Sequence, residues 1–215
     1  MNEKEEKFTG SSSYLEKSFL EELSFKIWST KGARFQADTR LTKKSKLSTI
    51  SLAFLSAYLI IASLLSAYGL NNGNYKDLIN YSITALSILL LVISMFENNQ
   101  NYKLRAKIYH DCGLEIGFLY SNLRTFKTLK KNKSDFEIYT FSKKMIIEYQ
   151  NILVKYENHE PLDFDKFKTQ KPDHFELTKK KLKKINRKYL WEIYGWYSII
   201  IGVPPLIIIT LFFTI

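Results

Sequence analysis

Residues 48–68 read STISLAFLSAYLIIASLLSAY, and residues 78–96 read LINYSITALSILLLVISMF. Neither run holds a charged side chain. At 1.5 Å of rise per residue, each is long enough to cross a hydrocarbon layer ~30 Å thick. The nine-residue link between them, GLNNGNYKD at 69–77, has the Gly and Asn content that a tight turn between antiparallel helices requires. A third uncharged run, IYGWYSIIIGVPPLIIITLFFTI, fills residues 193–215. The expected fold is therefore all-α. It is an integral membrane protein with an antiparallel transmembrane helix hairpin (48–68 and 78–96), a long cytoplasmic helical hairpin, and a third C-terminal apolar helix.

Charge locates the parts around these runs. The 215 residues carry a net charge of +11, and little of it lies in the apolar runs. Residues 1–47 hold 10 Lys/Arg against 7 Asp/Glu, and residues 97–190 hold 21 against 12, net +9. The positive-inside rule places both segments in the cytoplasm and the 69–77 link outside. Residues 1–10 are charged and the first apolar run begins only at residue 48, so that run is expected to be a retained helix, not a cleaved signal. A single cysteine, Cys112, excludes a disulfide-stapled module. The P-loop, dinucleotide, nucleophile-elbow and zinc-protease motifs are all missing. An intramembrane enzyme would need paired ionisable groups, and the spans hold none. The expectation is a protein that is not an enzyme and has no cofactor and no metal site.

Residues 1–13 read as a disordered tail. Residues 14–47 carry Leu15, Phe19, Leu20, Leu23, Ile27 and Trp28 at three- and four-residue steps, the pattern of an amphipathic cytoplasmic helix. Gly32 is expected to weaken that helix before Phe35 and Leu41 resume it. Ala53 with Ala57, Ala62 with Ser66, and Ser63 with Ala67 are small pairs that let membrane helices approach closely. After Phe96 the helix is expected to continue into the cytoplasm. There Tyr102, Tyr109, Ile116 and Leu123 repeat every seven residues, with Cys112, Leu119 and Phe126 three further on, an a/d seam typical of a coiled coil. Lys130, Lys131, Asn132 and Lys133 interrupt it. Ser134 and Glu137 form a capping box for a second helix over 136–156. Residues 157–173, with Pro161 and Pro172, read as a turn-rich break, and a Lys-rich helix over 174–190 leads into the third apolar run. Tandem Pro204 and Pro205 are expected to kink that run. Crossing of the membrane is the preferred path for it, with a re-entrant dip as the alternative.

Asn80, Thr84, Ser87 and Ser94 share one face of the second span, and Thr49, Ser56, Ser63 and Ser66 share one face of the first. Two readings stand. These faces line a small aqueous path in an oligomer, or they serve close packing and hydrogen bonding between helices. Lys183, Lys184, Arg187 and Lys188 lie just before the third run, where contact with anionic lipid is the first reading and nucleic acid a weaker one. His110, Asp111 and Cys112 are consecutive on a helix, so their side chains diverge and a buried thiol is the better reading. Glu157, His159, Glu160, Asp163 and Asp165 could hold a divalent cation or touch a partner. Acidic loops beside basic helices are more often salt-bridged, so a structural loop is preferred.

Lys31-Gly32-Ala33-Arg34-Phe35 and Arg40-Leu41 before the first span, the paired spans, and the long helix after them resemble the SLATT domains. These are bacterial two-helix membrane effector domains that associate with SMODS nucleotidyltransferases and SLOG nucleotide-sensing domains. The stretch Glu157-Asn158-His159-Glu160-Pro161 resembles the segment that closes the cytoplasmic hairpin in the subset associated with reverse transcriptases, as does the extra apolar run at 193–215. The resemblance implies an effector of a bacterial conflict or antiphage defence system. Such an effector would sit in the inner membrane with its N-terminus and residues 97–190 cytoplasmic. It would form a homo-oligomer that opens a pore or disrupts the membrane, leading to abortive infection. The trigger would be a separate sensor, a co-encoded reverse transcriptase or a nucleotide-signalling protein. The alternative reading is an anchored binding module that holds a nucleic acid or a partner polymerase at the bilayer.

Overall fold

The computed structural model describes residues 18–68, 76–129 and 132–214, with every side chain in them but those of 76, 78, 79 and 207–214. The tail expected at 1–13, most of the outer turn (69–75), and Lys130 and Lys131 lie outside the described residues. Among the described residues, seven α-helices follow in order: α1 (Phe19–Ala67), α2 (Lys76–Asn99), α3 (Tyr102–Leu129), α4 (Asp135–Lys155), α5 (Pro161–Lys168), α6 (Lys179–Leu190) and α7 (Trp196–Thr214). A π-helical turn, Trp191–Gly195, joins α6 to α7. Among the described residues there is no strand.

The N-terminal amphipathic helix and the first span are not separate elements. They form one 49-residue helix, about 74 Å long, that runs through Gly32 without a break. Gly32 does not loosen it. The ring of Phe167 lies against the glycine so closely that an added Cβ would come within 2.1 Å of the ring edge. The glycine is there for that close approach, and the intrahelical hydrogen bonds on either side carry the helix through.

Two helices run back along α1. Ser66 donates to Asn80 at 2.6 Å near one end of the α1–α2 pair. At the other end, Ser48 and Thr49 face Ser94 and Asn98 across a common cavity, so the pair is antiparallel. The helix after Phe96 does not continue as one piece. It stops at Asn99, and Asn101 takes a left-handed conformation (φ 49°) that asparagine tolerates better than most residues. α3 restarts at Tyr102 and lies antiparallel to the N-terminal half of α1. Leu23 and Ile27 pack with Leu119 and Leu123, and Ala37 and Leu41 with Ala106 and Tyr109. α4 folds back on α3. Its capping box forms, with the Glu137 N–H donating to Ser134 Oγ at 3.3 Å and the Ser134 N–H to the Glu137 carboxylate at 3.1 Å.

The stretch after α4 is not turn throughout. Pro161 occupies the first position of α5, where its missing N–H costs nothing and its fixed φ suits the helix. The Lys-rich helix begins at Lys179, later than residue 174, because turns fill 172–176 and Thr178 caps it. Tandem proline does not end the third apolar helix, which is helical from Trp196 to Thr214. Pro205 cannot donate to the carbonyl of Ile201, four residues earlier. The Tyr58 hydroxyl of α1 donates to that carbonyl instead, at 3.1 Å. Tyr197 donates to Glu97 at 2.9 Å, and Lys44 to Glu192 at 2.7 Å, so α7 and the π turn are tied to both α1 and α2.

Among the described residues, two stretches are long and apolar enough to cross a membrane, one in α1 and one within Asn80–Leu129. Only 11% of the first window and none of the second is buried by the rest of the protein, unlike the mostly buried core helices of a soluble fold. Large apolar side chains such as Ile60, Ile88, Leu91 and Met95 point outward, as they do against lipid.

Gly32→Ala is expected to lower stability by about 1–3 kcal/mol through overpacking against Phe167. Melting in detergent reads this. Combining it with Phe167→Leu, which withdraws the ring, should recover part of the loss. An unchanged melting temperature for Gly32→Ala would contradict the close packing.

Candidate functional site

Two arginines of α1 hold the segment that follows α4. Arg40 donates from Nε and Nη2 to the two carboxylate oxygens of Asp163 at 2.7 and 3.0 Å, a bidentate pair, and Nη2 also reaches Glu160 at 2.9 Å. Arg40 is 1% exposed and Asp163 0%. Burial alone would lower the Arg40 pKa, but the Asp163 hydrogen bond and charge, then Glu160, outweigh it and hold the guanidinium above its ordinary value. Asp163 also accepts the backbone N–H of Glu160 at 3.1 Å, which closes the entry to α5. Six residues earlier on α1, the fully buried Arg34 donates to the carbonyl of Glu157 and, at 3.2 Å, to the side chain of Asn158.

α3 grips the same loop from the other side. Arg105 donates to both oxygens of the Glu157 carboxylate at 3.0 and 3.3 Å, and the Tyr109 hydroxyl donates to the Asn158 carbonyl at 2.8 Å. The Arg34 guanidinium also lies 5.6 Å from the centre of the Tyr109 ring. His159 sits between these clamps with a buried Nδ1 that has no hydrogen-bond partner among the described residues. Burial, and then the Arg34 charge, hold its pKa below the ordinary histidine value, against a smaller opposing pull from Asp163. Glu157, Glu160, Asp163 and Asp165 each engage a cation, the last through Lys168 at 2.6 Å. Among the described residues no group of three or more His, Cys, Asp or Glu is placed to hold a metal ion. The arrangement is a desolvated electrostatic latch between α1, α3 and α5.

The a/d positions of α3 are occupied within the chain. Tyr109, Cys112, Ile116, Leu119 and Leu123 are buried, and four of them share a core with Leu23 and Ile27 of α1 and Met145 and Tyr149 of α4. Tyr102 is half-buried at the α2–α3 junction, and Phe126 stacks on Phe141 with ring centres 3.8 Å apart. Burial pushes the Cys112 thiol up, away from reactivity. His110 faces Asp38 at 3.1 Å, so the three consecutive residues 110–112 do diverge.

Of the polar span residues, Asn80 is engaged with Ser66 in helix packing. Thr84, Ser87 and Ser56 donate to the carbonyls four residues earlier in their own helices, at 2.9, 2.8 and 2.9 Å. Thr84, Ser87 and Ser63 are exposed on the protomer, and Ser94 is half-buried at the cavity between α1, α2 and α3. Lys183, Lys184, Arg187 and Lys188 are all exposed on α6.

Arg105 and the pairing across 123 residues escaped the sequence reading. One signal was present. The chain has five arginines among 32 basic residues, and three of them converge on this loop. Arginine is the cation suited to buried, bidentate contacts.

A sequence model of the family described as SMODS and SLOG-associating 2TM effector domain family 5 matches residues 16–211. No curated protein and no solved structure matches.

Arg40→Met should cost about 3–5 kcal/mol by leaving Asp163 buried and unpaired. Arg105→Gln, at a half-exposed pair, should cost less than ~1 kcal/mol. Thermal unfolding in detergent compares the two, and equal losses would contradict a latch centred on Arg40. The lowered pKa of His159 means that the unfolded chain binds a proton that the folded one refuses. Stability should be constant above about pH 6.5 and fall as the pH drops below it. His159→Gln should flatten that limb of the melting profile.

Proposed function

We propose a membrane-permeabilising role for this chain, which belongs to the SMODS and SLOG-associating 2TM effector domain family 5. Membership makes it a membrane effector domain of conflict systems. Pore formation, the trigger, the membrane and the orientation are our reading. The observation that carries it is the continuity of α1. One unbroken helix runs from the arginine-clamped loop into the first span, while the apolar window of the second stretch has no residue buried within the protomer. A change at the loop that loosens Arg40 from Asp163 would free α5 and let α1 shift as a rod, carrying the spans with it. The spans would then assemble with those of other copies in the bacterial inner membrane. The cations at 1–47 and 97–190 support a cytoplasmic position for the latch. The trigger would be a separate sensor, either a nucleotide-signalling protein or a co-encoded reverse transcriptase, and the outcome would be collapse of the membrane potential.

A second reading is supported by α6. Its four cations Lys183, Lys184, Arg187 and Lys188 are exposed, and among the described residues none pairs with a carboxylate. A membrane-anchored module that holds a nucleic acid or a polymerase would use such a stripe, with the spans as anchors.

One experiment separates them. The chain is induced in a bacterial host with and without its genomic neighbour, and membrane potential is read by dye fluorescence. Asn80 is engaged with Ser66, so the informative variant is Thr84→Leu with Ser87→Leu. Triggered wild type is expected to depolarise the cell, and the variant, at equal membrane abundance, is expected not to. Function that survives replacement of both spans by an unrelated two-helix anchor would favour the binding module and end the pore reading.

A further inference from the structure

A cavity of about 580 Å³ opens where α1, α2 and α3 meet. Ser45, Ser48 and Thr49 of α1, Asn98 of α2, and Lys103 and Lys107 of α3 supply its polar wall, and Leu52 and Leu104 its apolar one. Neither the latch nor the polar faces of the spans accounts for it. Three observations say what it could take. Ser48 is only 8% exposed, and its hydroxyl has no hydrogen-bond partner among the described residues, yet it lines the cavity. The first turn of α3 also lines the cavity. The N–H groups of that turn have no partner within the helix, and they carry the positive end of its dipole. The third observation is charge. Lys103 and Lys107 outnumber Glu97, whose carboxylate is already engaged by the Tyr197 hydroxyl at 2.9 Å. Unpartnered hydroxyl, helix N-terminus and lysines together are the chemistry of a phosphate site.

Height in the membrane decides the source of that phosphate. Ser48 opens the uncharged run of α1, and Ser94, also on the wall, ends the last turn of the uncharged run of α2. The cavity therefore lies level with the bilayer edge, on the side of the net +9 segment. We propose that it holds the phosphate of an anionic phospholipid headgroup, with Ser48, Lys103 and Lys107 at the phosphate and Leu52 and Leu104 against the start of the acyl chains. The inference stands on insertion of α1 and α2 in the membrane and is independent of pore opening. A soluble phosphate ester presents the same group, so the test includes one.

The full chain in neutral detergent is titrated with phosphatidylglycerol, phosphatidylcholine or glycerol phosphate, and occupancy is read by native mass spectrometry. Phosphatidylglycerol is expected to bind in preference to the other two. Lys103→Gln and Lys107→Gln should each weaken it about fivefold, the scale of one lysine at an anionic surface. Ser48→Leu removes the hydroxyl and crowds the phosphate position without changing charge, and should abolish binding. Thr49→Leu, at an exposed position on the same wall, carries that test if Ser48→Leu fails to fold. Lys143→Gln with Lys144→Gln, on the exposed face of α4, should leave binding unchanged. Equal binding of phosphatidylcholine would overturn the proposal, and so would insensitivity to the leucine variants on the cavity wall, which would signify diffuse attraction. Glycerol phosphate binding as tightly as phosphatidylglycerol would overturn the lipid as source and assign the site to a soluble phosphate.

Discussion

The ion pair between Arg40 and Asp163 joins residues 123 apart in sequence at a point where neither side chain touches water. Two charges taken out of water are tolerable only when each satisfies the other in good geometry. That requirement fixes the start of α5, because Asp163 also accepts the N–H of Glu160. α5 in turn brings Phe167 onto Gly32 and Leu162 against Tyr189 and Ile193. Tyr189 shows how tightly this region closes. Its hydroxyl is buried without a partner among the described residues, and burial, then the Asp163 charge, pushes its pKa up to about 12. Without the Arg40 contact, the packing of α5 on α1 would leave an unpaired charge inside the protein, and the approach of α6 and α7 would lose its footing.

The latch and the membrane are linked by a single rigid body. Arg40 and Ser48 are eight residues apart on one helix, about 12 Å of axial rise. Farther along the same helix, Tyr58 supplies the hydrogen bond that Pro205 cannot. α1 thus carries one contact set ahead of its apolar stretch and another within it. A hydroxyl satisfying a proline-freed carbonyl in lipid is a contact worth on the order of 1 kcal/mol.

Those features of the fold that follow from local pattern were legible in the sequence. The apolar runs, the heptad spacing of α3 and the Ser134–Glu137 cap are all periodic or short-range signals. What failed depended on a partner far along the chain. Gly32 reads as a weak point until the Phe167 ring is seen to need the space. Pro161 reads as a breaker until Asp163 is seen to close the turn ahead of it. The stop at Asn99 was hidden because Asn98, Asn99 and Asn101 are compatible with both a polar helical turn and a left-handed break. The acidic loop was legible as a salt-bridged element, but its partners were not, because neither spacing nor composition pairs Arg34 and Arg40 with residues beyond 155. Arginine use in a chain dominated by lysine was the one local clue.

The hydroxyl face of the spans has a property that bears on a helix with two environments. Thr84, Ser87 and Ser56 each donate to a carbonyl of their own helix, so these three hydroxyls leave no donor open toward lipid. Each oxygen keeps acceptor capacity that water can use. Such a face is tolerated against hydrocarbon and wettable in an aqueous path, at the cost of a slight bend and not of an unsatisfied group. A charged residue there would forbid the lipid-facing state, and a leucine would give water no hydrogen-bonding site in a wet one. A chain that assembled around water after inserting as a protomer would need side chains of this intermediate kind, and serine and threonine bonded to their own backbone would supply it.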